Sequence, residues 1–542
     1  MAQTRRARGG AHSPLLAALR RAVRLAAASD RPGAPPVDEL PELAREGLTR
    51  RRFLRSAAAT AALLGAGAAA GPLAPALLGA PRRTDVRVVI VGAGIAGLTA
   101  AYHLRRAGVQ AQVYEAAGRT GGRMFSRRDV LAPGLVTEFG GEFINSDHTD
   151  LLALVRAFGL ELMDMEGPGE AALRDAYVFD GRHRREAEVI EAFRPLARRI
   201  AADADRLPDE IDFRQSRSPE AATAVALDRL SLAEYLGRIG ATGWIRELLE
   251  VAYVTEFGLD AGEQSALNFI DMIGTDLREG FKIVGDSDER YKVRGGNQQV
   301  VDTLARRLAA QVHLSHRLVA VRPRGRGFTL TFERRGAGLV EVRADLAVLA
   351  IPFTVLREVD LGVDLPAWKW RTIRELGYGT NAKLMFGLLE RPWRRQGYSG
   401  AAYSDEGFQL CWDNSRGQPG PVGGVTLFSG GTPGLAVGRG TVEAQEVRLL
   451  PGVERVFPGT VRARTGRGAR WHWPTYPFTK GSYACWKPGQ WTSVRGAERL
   501  PVGNLFFAGE HCSLDFQGFM NGGAETGRMA AQAVLRRVGV RP

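Results

Sequence analysis

The chain has 542 residues, 45% of them hydrophobic and 24% charged, with 73 Lys and Arg against 59 Asp and Glu. That length exceeds one ordinary core, so two interleaved domains are expected, and the composition is that of a soluble globular protein. Half of the net charge of +14 lies in the first 80 residues, which hold 12 Arg and 5 acidic groups; the rest is mildly basic and lacks a lysine stripe with interleaved aromatics, so nucleic acid is not an expected partner.

Residues 1–48, with Pro32, Pro35, Pro36 and Pro41, read as a disordered extension, long enough to suggest a start codon placed too early. Thr49-Arg50-Arg51-Arg52-Phe53-Leu54-Arg55 then opens an Ala/Gly/Leu run to Ala80. Residues 49–80 thus read as a twin-arginine export signal, an address rather than an anchor. The run contains Pro72 and Pro75 and few strongly apolar residues, so no stable membrane span is expected. Cleavage is expected at Ala74-Pro75-Ala76 or at Ala80, and the mature protein is expected in the periplasm or outside the cell, with the export machinery as a partner.

Val86–Val91 is a short apolar run, the mark of a strand buried on both faces. Gly92 turns it, Ile95, Leu98, Tyr102 and Leu104 continue at helical spacing to a C-cap at Gly108, and Val109–Glu115 reads as a second strand. Within this βαβ unit lies Gly92-x-Gly94-x-x-Gly97 with Glu115 beyond. Gly92 permits the tight turn, Gly94 lets backbone approach a diphosphate, and Gly97 lets helix pack on strand. The diphosphate is expected at the helix start, against Ile95 and Ala96, and Glu115 and Ala116 at the ribose. Helical periodicity dominates Asp150 to Leu277. Strands are expected at Val312–Val321, Phe328–Glu333 and Leu346–Ala350, a mixed region follows to Gly489, and Asn504–Ala508 with Gly522–Leu535 reads as strand, loop and helix.

The widely spaced Cys411, Cys485 and Cys512 give no disulfide framework, although a Cys485–Cys512 bridge stays open. Neither they nor the eight histidines, which lack H-E-x-x-H spacing, suggest a metal; His511, beside Glu510, reads as a loop histidine that could tune a cofactor.

Glu115-Ala116-Ala117-Gly118-Arg119-Thr120-Gly121-Gly122-Arg123 resembles the E-x-x-x-R-x-G-G-R signature of flavin-containing amine oxidases, the superfamily of monoamine oxidases and L-amino-acid oxidases. The resemblance spans Val86 to Leu535. It includes Leu505-Phe506-Phe507-Ala508-Gly509-Glu510, Gly518-Phe519-Met520-Asn521-Gly522-Gly523, Glu138-Phe139-Gly140-Gly141-Glu142-Phe143-Ile144-Asn145, the Leu318 strand, Arg294–Gln298 and Thr380-Asn381-Ala382-Lys383. It implies an α/β fold in which a doubly wound, Rossmann-type FAD-binding domain is interleaved with an α+β substrate domain. The FAD domain is expected at 84–160, 290–355 and 478–537, and the substrate domain at 161–289, mostly helical, and 356–477.

The resemblance further implies that Arg119 and Arg123 bond the diphosphate, that Gly122, Gly140, Gly141, Glu142, Leu318, Gly509, Glu510 and Gly518 line the flavin or adenine, and that the Met520 N–H faces the flavin. Lys383 would hold a water at the flavin, while Tyr483 and Phe519 wall an aromatic cage with Trp473 nearby; a solvent-exposed edge-strand lysine is the plainer reading of Lys383. Ser482 stands where animal monoamine oxidases carry the cysteine that attaches flavin, so FAD should be non-covalent. The implied activity is oxidation of a primary or secondary amine to an imine, then aldehyde and ammonia, with oxygen reduced to hydrogen peroxide. An L-amino-acid oxidase, an amine dehydrogenase using another acceptor and a non-catalytic flavoprotein are the alternatives. No arginine stands where amino-acid oxidases bind the substrate carboxylate, which favours amines, and Glu142 or Asn145 is the expected seat of any second amino group. A homodimer is left open.

Overall fold

The computed structural model describes residues 86–214 and 218–541. The N-terminal extension and the twin-arginine segment lie outside the described residues.

The run Val88–Val91, buried at every position, forms the centre of a five-stranded parallel sheet. Its neighbours are Ala111–Tyr114 and Leu346–Leu349, flanked by Val312–His313 and Leu505–Phe507. Strands from the two ends of the chain thus meet in one sheet, as a doubly wound fold requires. Ile95–Arg106 crosses over the first strand, and a Cβ at Gly97 would sit 1.9 Å from the Gly92 carbonyl oxygen. Only glycine allows that approach of helix to strand. The C-terminal helix Met520–Arg537 packs on the same helix, with Gly527 against the Ala96 backbone.

A second, seven-stranded sheet runs in the order Arg464–His472, Ala382–Leu388, Gly423–Ser429, Leu410–Asp413, Tyr398–Ser404, Arg174–Phe179, Arg182–Arg184. Helices Glu186–Ala204, Gly243–Phe257 and Ala266–Met272 belong to the same half of the molecule, their apolar faces forming a core around Phe193, Tyr235, Tyr253 and Phe269. Among the described residues no helix is long and apolar enough to cross a membrane.

Two expectations change. The stretch from Asp150 to Leu277 is not helical throughout: it contains strands Leu162–Asp164, Arg174–Phe179 and Arg182–Arg184. Their pairing explains why local periodicity conceals them, because Arg174–Phe179 is held by Tyr398–Ser404, over 200 residues away. A strand not anticipated, Gly338–Ala344, is mostly exposed and exists through its register with Phe328–Arg334. The three cysteines are free and buried, so the Cys485–Cys512 bridge does not form.

Candidate active site

One cavity of about 1200 Å3 runs from the first strand to the seven-stranded sheet. At one end, Gly92, Gly94, Ile95, Ala96, Glu115, Ala116, Arg119, Gly122 and Arg123 line it. Gly97 does not; its part is to bring the helix onto the strand. A Cβ at Gly94 would find its nearest neighbour only at 3.9 Å, the Gly122 Cα, so the space beside Gly94 is open to a bulky group.

The helix N-termini at Ile95 and at Met520 open on this cavity. Neither has a side-chain cap nor an acidic residue in its first turn. Uncapped N–H groups and the positive end of the helix dipole suit anionic oxygens. Glu115 is 8% exposed, and its carboxylate accepts the N–H groups of Ala93 (2.7 Å) and Ala117 (2.8 Å). Burial pushes its pKa up, while those N–H groups oppose the shift.

Both arginines of the glycine-rich turn are engaged by the protein itself. Arg119 donates to the Thr120 and Gly122 carbonyls and lies 4.2 Å over the Phe125 ring. Arg123 Nη1 is shared between the Ser482 carbonyl and Glu510 Oε1, both at 2.7 Å. Glu510 also accepts from the Gly518 and Ala484 N–H groups. Arg123 and Glu510 therefore tie the glycine-rich turn to the C-terminal loop. Gly509 and Gly518 line the cavity beside them, both at positive φ, and Leu318 lines it from its strand. His511 does not line it: buried, packed 4.5 Å from the Phe353 ring centroid and held neutral by desolvation, it supports the loop from behind.

Lys383 stands on Ala382–Leu388, an interior strand of its sheet, and is 4% exposed; the edge-strand reading is wrong. Its ammonium donates to the Glu138 carbonyl (3.1 Å), the Gly140 carbonyl (2.9 Å) and Glu142 Oε2 (2.8 Å). A lysine has three N–H donors, so all are taken, and holding a water requires release of one carbonyl.

The other Glu142 oxygen accepts from Lys292 (2.9 Å), which also donates to the Asn414 carbonyl. Burial would raise the Glu142 pKa, but the ammoniums of Lys292 and Lys383 outweigh it and hold the carboxyl below its usual range. Lys292 was missed in sequence because Tyr291–Val293 is a three-residue strand whose partner residues lie elsewhere in the chain. Glu142 lines the cavity with Gly140 and Gly141, but it is spent on two lysines and is no seat for a second amino group. Asn145 fails likewise: its amide bonds Ser287 and the Glu289 N–H, and it does not line the cavity.

The aromatic end contains Tyr483, Phe519, Met520 and Trp473. Tyr483 donates its hydroxyl to the Thr255 carbonyl (3.2 Å), and burial pushes its pKa well up, so it stays protonated. Phe519 packs edge-on against His148. Trp473, 5% exposed, sits edge-on to Trp471 and Tyr476, as part of an aromatic wall. Beyond them the same cavity reaches Tyr177, Tyr403, Glu256 and Glu289, none of which sequence analysis singled out.

A parallel sheet with an acid-tipped second strand, uncapped helix starts at Ile95 and Met520 and one long cavity define a dinucleotide-binding protein. Residues 95–535 match the profile of the flavin containing amine oxidoreductases, and the chain belongs to that family. It is similar to the pseudooxynicotine dehydrogenase of a Pseudomonas species, 24% identical over 507 residues that cover 90% of this chain and 95% of the relative. It is likewise similar to the L-amino acid dehydrogenase of Synechocystis, 24% identical over 479 residues, 82% of this chain and 94% of the relative. Among solved structures, cyclohexylamine oxidase from Brevibacterium oxydans superposes with a TM-score of 0.73 at 24% identity, covering 84% of this chain and all of that one. FAD is therefore the cofactor the cavity takes.

Proposed function

We propose that this protein oxidises a small-molecule amine to an imine, which hydrolyses to an aldehyde and ammonia, with molecular oxygen as the final acceptor and hydrogen peroxide as its product. The observation that supports this most is the continuity of one cavity from the FAD cradle to a protonated tyrosine and a phenylalanine.

Ile95, Ala96, Glu115, Ala116 and the Met520 helix start would hold the cofactor, helped by Arg119 and by the Arg123–Glu510 bridge. Bound FAD supplies the two-electron oxidant for the C–H bond beside the amine nitrogen. The protein's own part is placement. Tyr483 and Phe519 present ring faces that accept an amine and exclude water. Lys383, fixed by Glu142, sets a positive charge in the wall, and the Met520 helix start adds a partial one. No base from the protein is needed to take up an amine that arrives neutral. The twin-arginine motif supports export of the folded, FAD-loaded chain.

Anaerobic mixing with monoamines, diamines and L-amino acids tests the reading. Loss of flavin absorbance with amines and not with amino acids is expected, followed by stoichiometric peroxide when oxygen is admitted. Bleaching by amino acids alone would replace the reading with an amino-acid oxidase. Bleaching by amines without peroxide, while a dye is reduced, would make the protein a dehydrogenase.

A further inference from the structure

Beyond strand Val136–Glu138 the chain runs along the cavity wall, which Gly140, Gly141, Glu142 and Phe143 line. A Cβ at Gly141 would lie 2.6 Å from Met520 Cγ, so this segment packs directly on the first residue of the C-terminal helix. Charge carried by the segment is thereby delivered beside the helix start that opens on the cavity.

Asn297 builds the connection behind it. Its side-chain amide donates to the Gly141 and Glu142 carbonyls (3.1 and 2.7 Å), and its Oδ1 accepts the Val293 N–H (2.9 Å). Strand Tyr291–Val293 is stitched to the wall in this way, and Lys292, 3% exposed, is carried to Glu142 Oε1. Lys383 reaches the other Glu142 oxygen from strand Ala382–Leu388. An aromatic pair borders both ammoniums. Lys383 Nζ lies 5.2 Å from the Trp412 ring centroid, Lys292 Nζ lies 5.6 Å from that of Phe143, and the two rings meet edge-on. Buried surroundings of this kind screen a charge weakly.

Two ammoniums against one carboxylate leave the trio with one net positive charge. Glu138 is the neighbouring ionisable group. Its carboxyl accepts the Ser126 hydroxyl (2.7 Å) and the Asn297 N–H (2.8 Å), and burial pushes it up to about 7, so it is neutral in mildly acidic solution. A flavin ring gains negative charge on reduction, and a fixed positive charge beside it favours the reduced form. Lys383 supplies such a charge and Glu142 cancels it. Lys292 decides the balance.

We propose that Lys292 and Glu142 are positioning residues that act through Lys383: the three together hold one net positive charge against the bound flavin, and that charge sets how strongly the protein favours reduced FAD. The proposal rests on FAD as the cofactor and on no particular substrate, so failure of the amine reading leaves it standing.

Stepwise dithionite reduction of the FAD-loaded protein beside a redox dye, without substrate or oxygen, tests it. The ratio of reduced to oxidised flavin is read where the dye is half reduced, at pH 6 so that Glu138 stays neutral. A unit charge taken about 10 Å from the ring, at an effective dielectric of about 20, changes that ratio about tenfold. Lys292→Met removes the net charge and should lower the ratio by about that factor. Glu142→Gln doubles the charge and should raise it about as much. The double variant Glu142→Gln/Lys292→Met carries the wild-type sum and should return to within about threefold of the wild-type ratio. A merely structural role would shift all three variants the same way, whereas a charge role orders them by sign. A Lys292→Met ratio equal to wild type, or the two single variants shifting in the same direction, would overturn the proposal. Where Glu142→Gln does not load FAD, Lys292→Met and the double variant decide it, because neither leaves like charges facing each other. A double variant as low as Lys292→Met would then count against the charge.

Discussion

Replacing Glu142 tests whether the buried Lys292–Glu142–Lys383 cluster is held together by charge. The carboxylate bridges two ammoniums at 2.9 and 2.8 Å, all three groups being almost fully buried. Glu142→Gln keeps the shape but leaves two positive charges facing one neutral amide. Removing one partner of a buried pair costs about 3–5 kcal/mol. Two ammoniums bridged by one carboxylate, taken about 5 Å apart at an effective dielectric of about 20, add about 3 kcal/mol of repulsion once it is neutral. Lys292→Met, by contrast, leaves a balanced Glu142–Lys383 pair. The double variant Glu142→Gln/Lys292→Met removes the repulsion and should be more stable than Glu142→Gln alone, a strong positive coupling. Thermal scans at one fixed rate, followed by circular dichroism and by FAD release, rank the four proteins. The Glu142 carboxyl is depressed, so its stabilisation is complete above the ordinary carboxylate range and vanishes only as pH falls through its lower folded value; scans at neutral pH therefore read it in full. A Glu142→Gln midpoint equal to wild type, or a double variant less stable than the single, would refute the charge argument.

Acid precipitation of the holoprotein should release all FAD into the supernatant, because Ser482 offers no thiol for attachment; yellow protein in the pellet would contradict this. Gly97→Ala forces a Cβ to 1.9 Å from the Gly92 carbonyl and should yield no FAD-loaded protein. Gly94→Ala has room within the protein and should fold, yet bind FAD about tenfold or more weakly because its methyl enters the cofactor's space. Fluorescence titration of the apoprotein separates the two glycines, and equal behaviour would sink the distinction. The folded protein binds protons at Glu256 and Glu289 that the unfolded chain has already lost above about pH 4.5. Without ligand it should therefore lose stability as pH rises through about 7 and 8, and Glu289→Gln should flatten the upper part of that fall. Midpoints at pH 6 and 8.5 check the sign.

The FAD half of the fold was legible because its signals are local. Val88–Val91 announces a buried strand, the glycines 92, 94 and 97 fall at the turn they serve, and Glu115 ends the next strand. A diphosphate site built on one helix start needs few distant partners. The substrate half obeys a different logic. Arg174–Phe179 becomes a strand only beside Tyr398–Ser404, and Lys292 becomes part of the site only because Glu142 and Asn414 meet it across more than 100 residues. A lone Glu in a helix end or a loop, as with Glu256 and Glu289, has no sequence spacing that distinguishes it from a solvated surface acid. What distinguishes them is that both line the cavity, a three-dimensional property. Glu142 shows the converse: beside the glycines of its turn it looks like the free acid of the pocket, and two lysines from distant strands have already claimed it. In this chain the cofactor is thus announced by motif, whereas the residues that line the rest of the cavity are brought together by pairing across distant parts of the sequence.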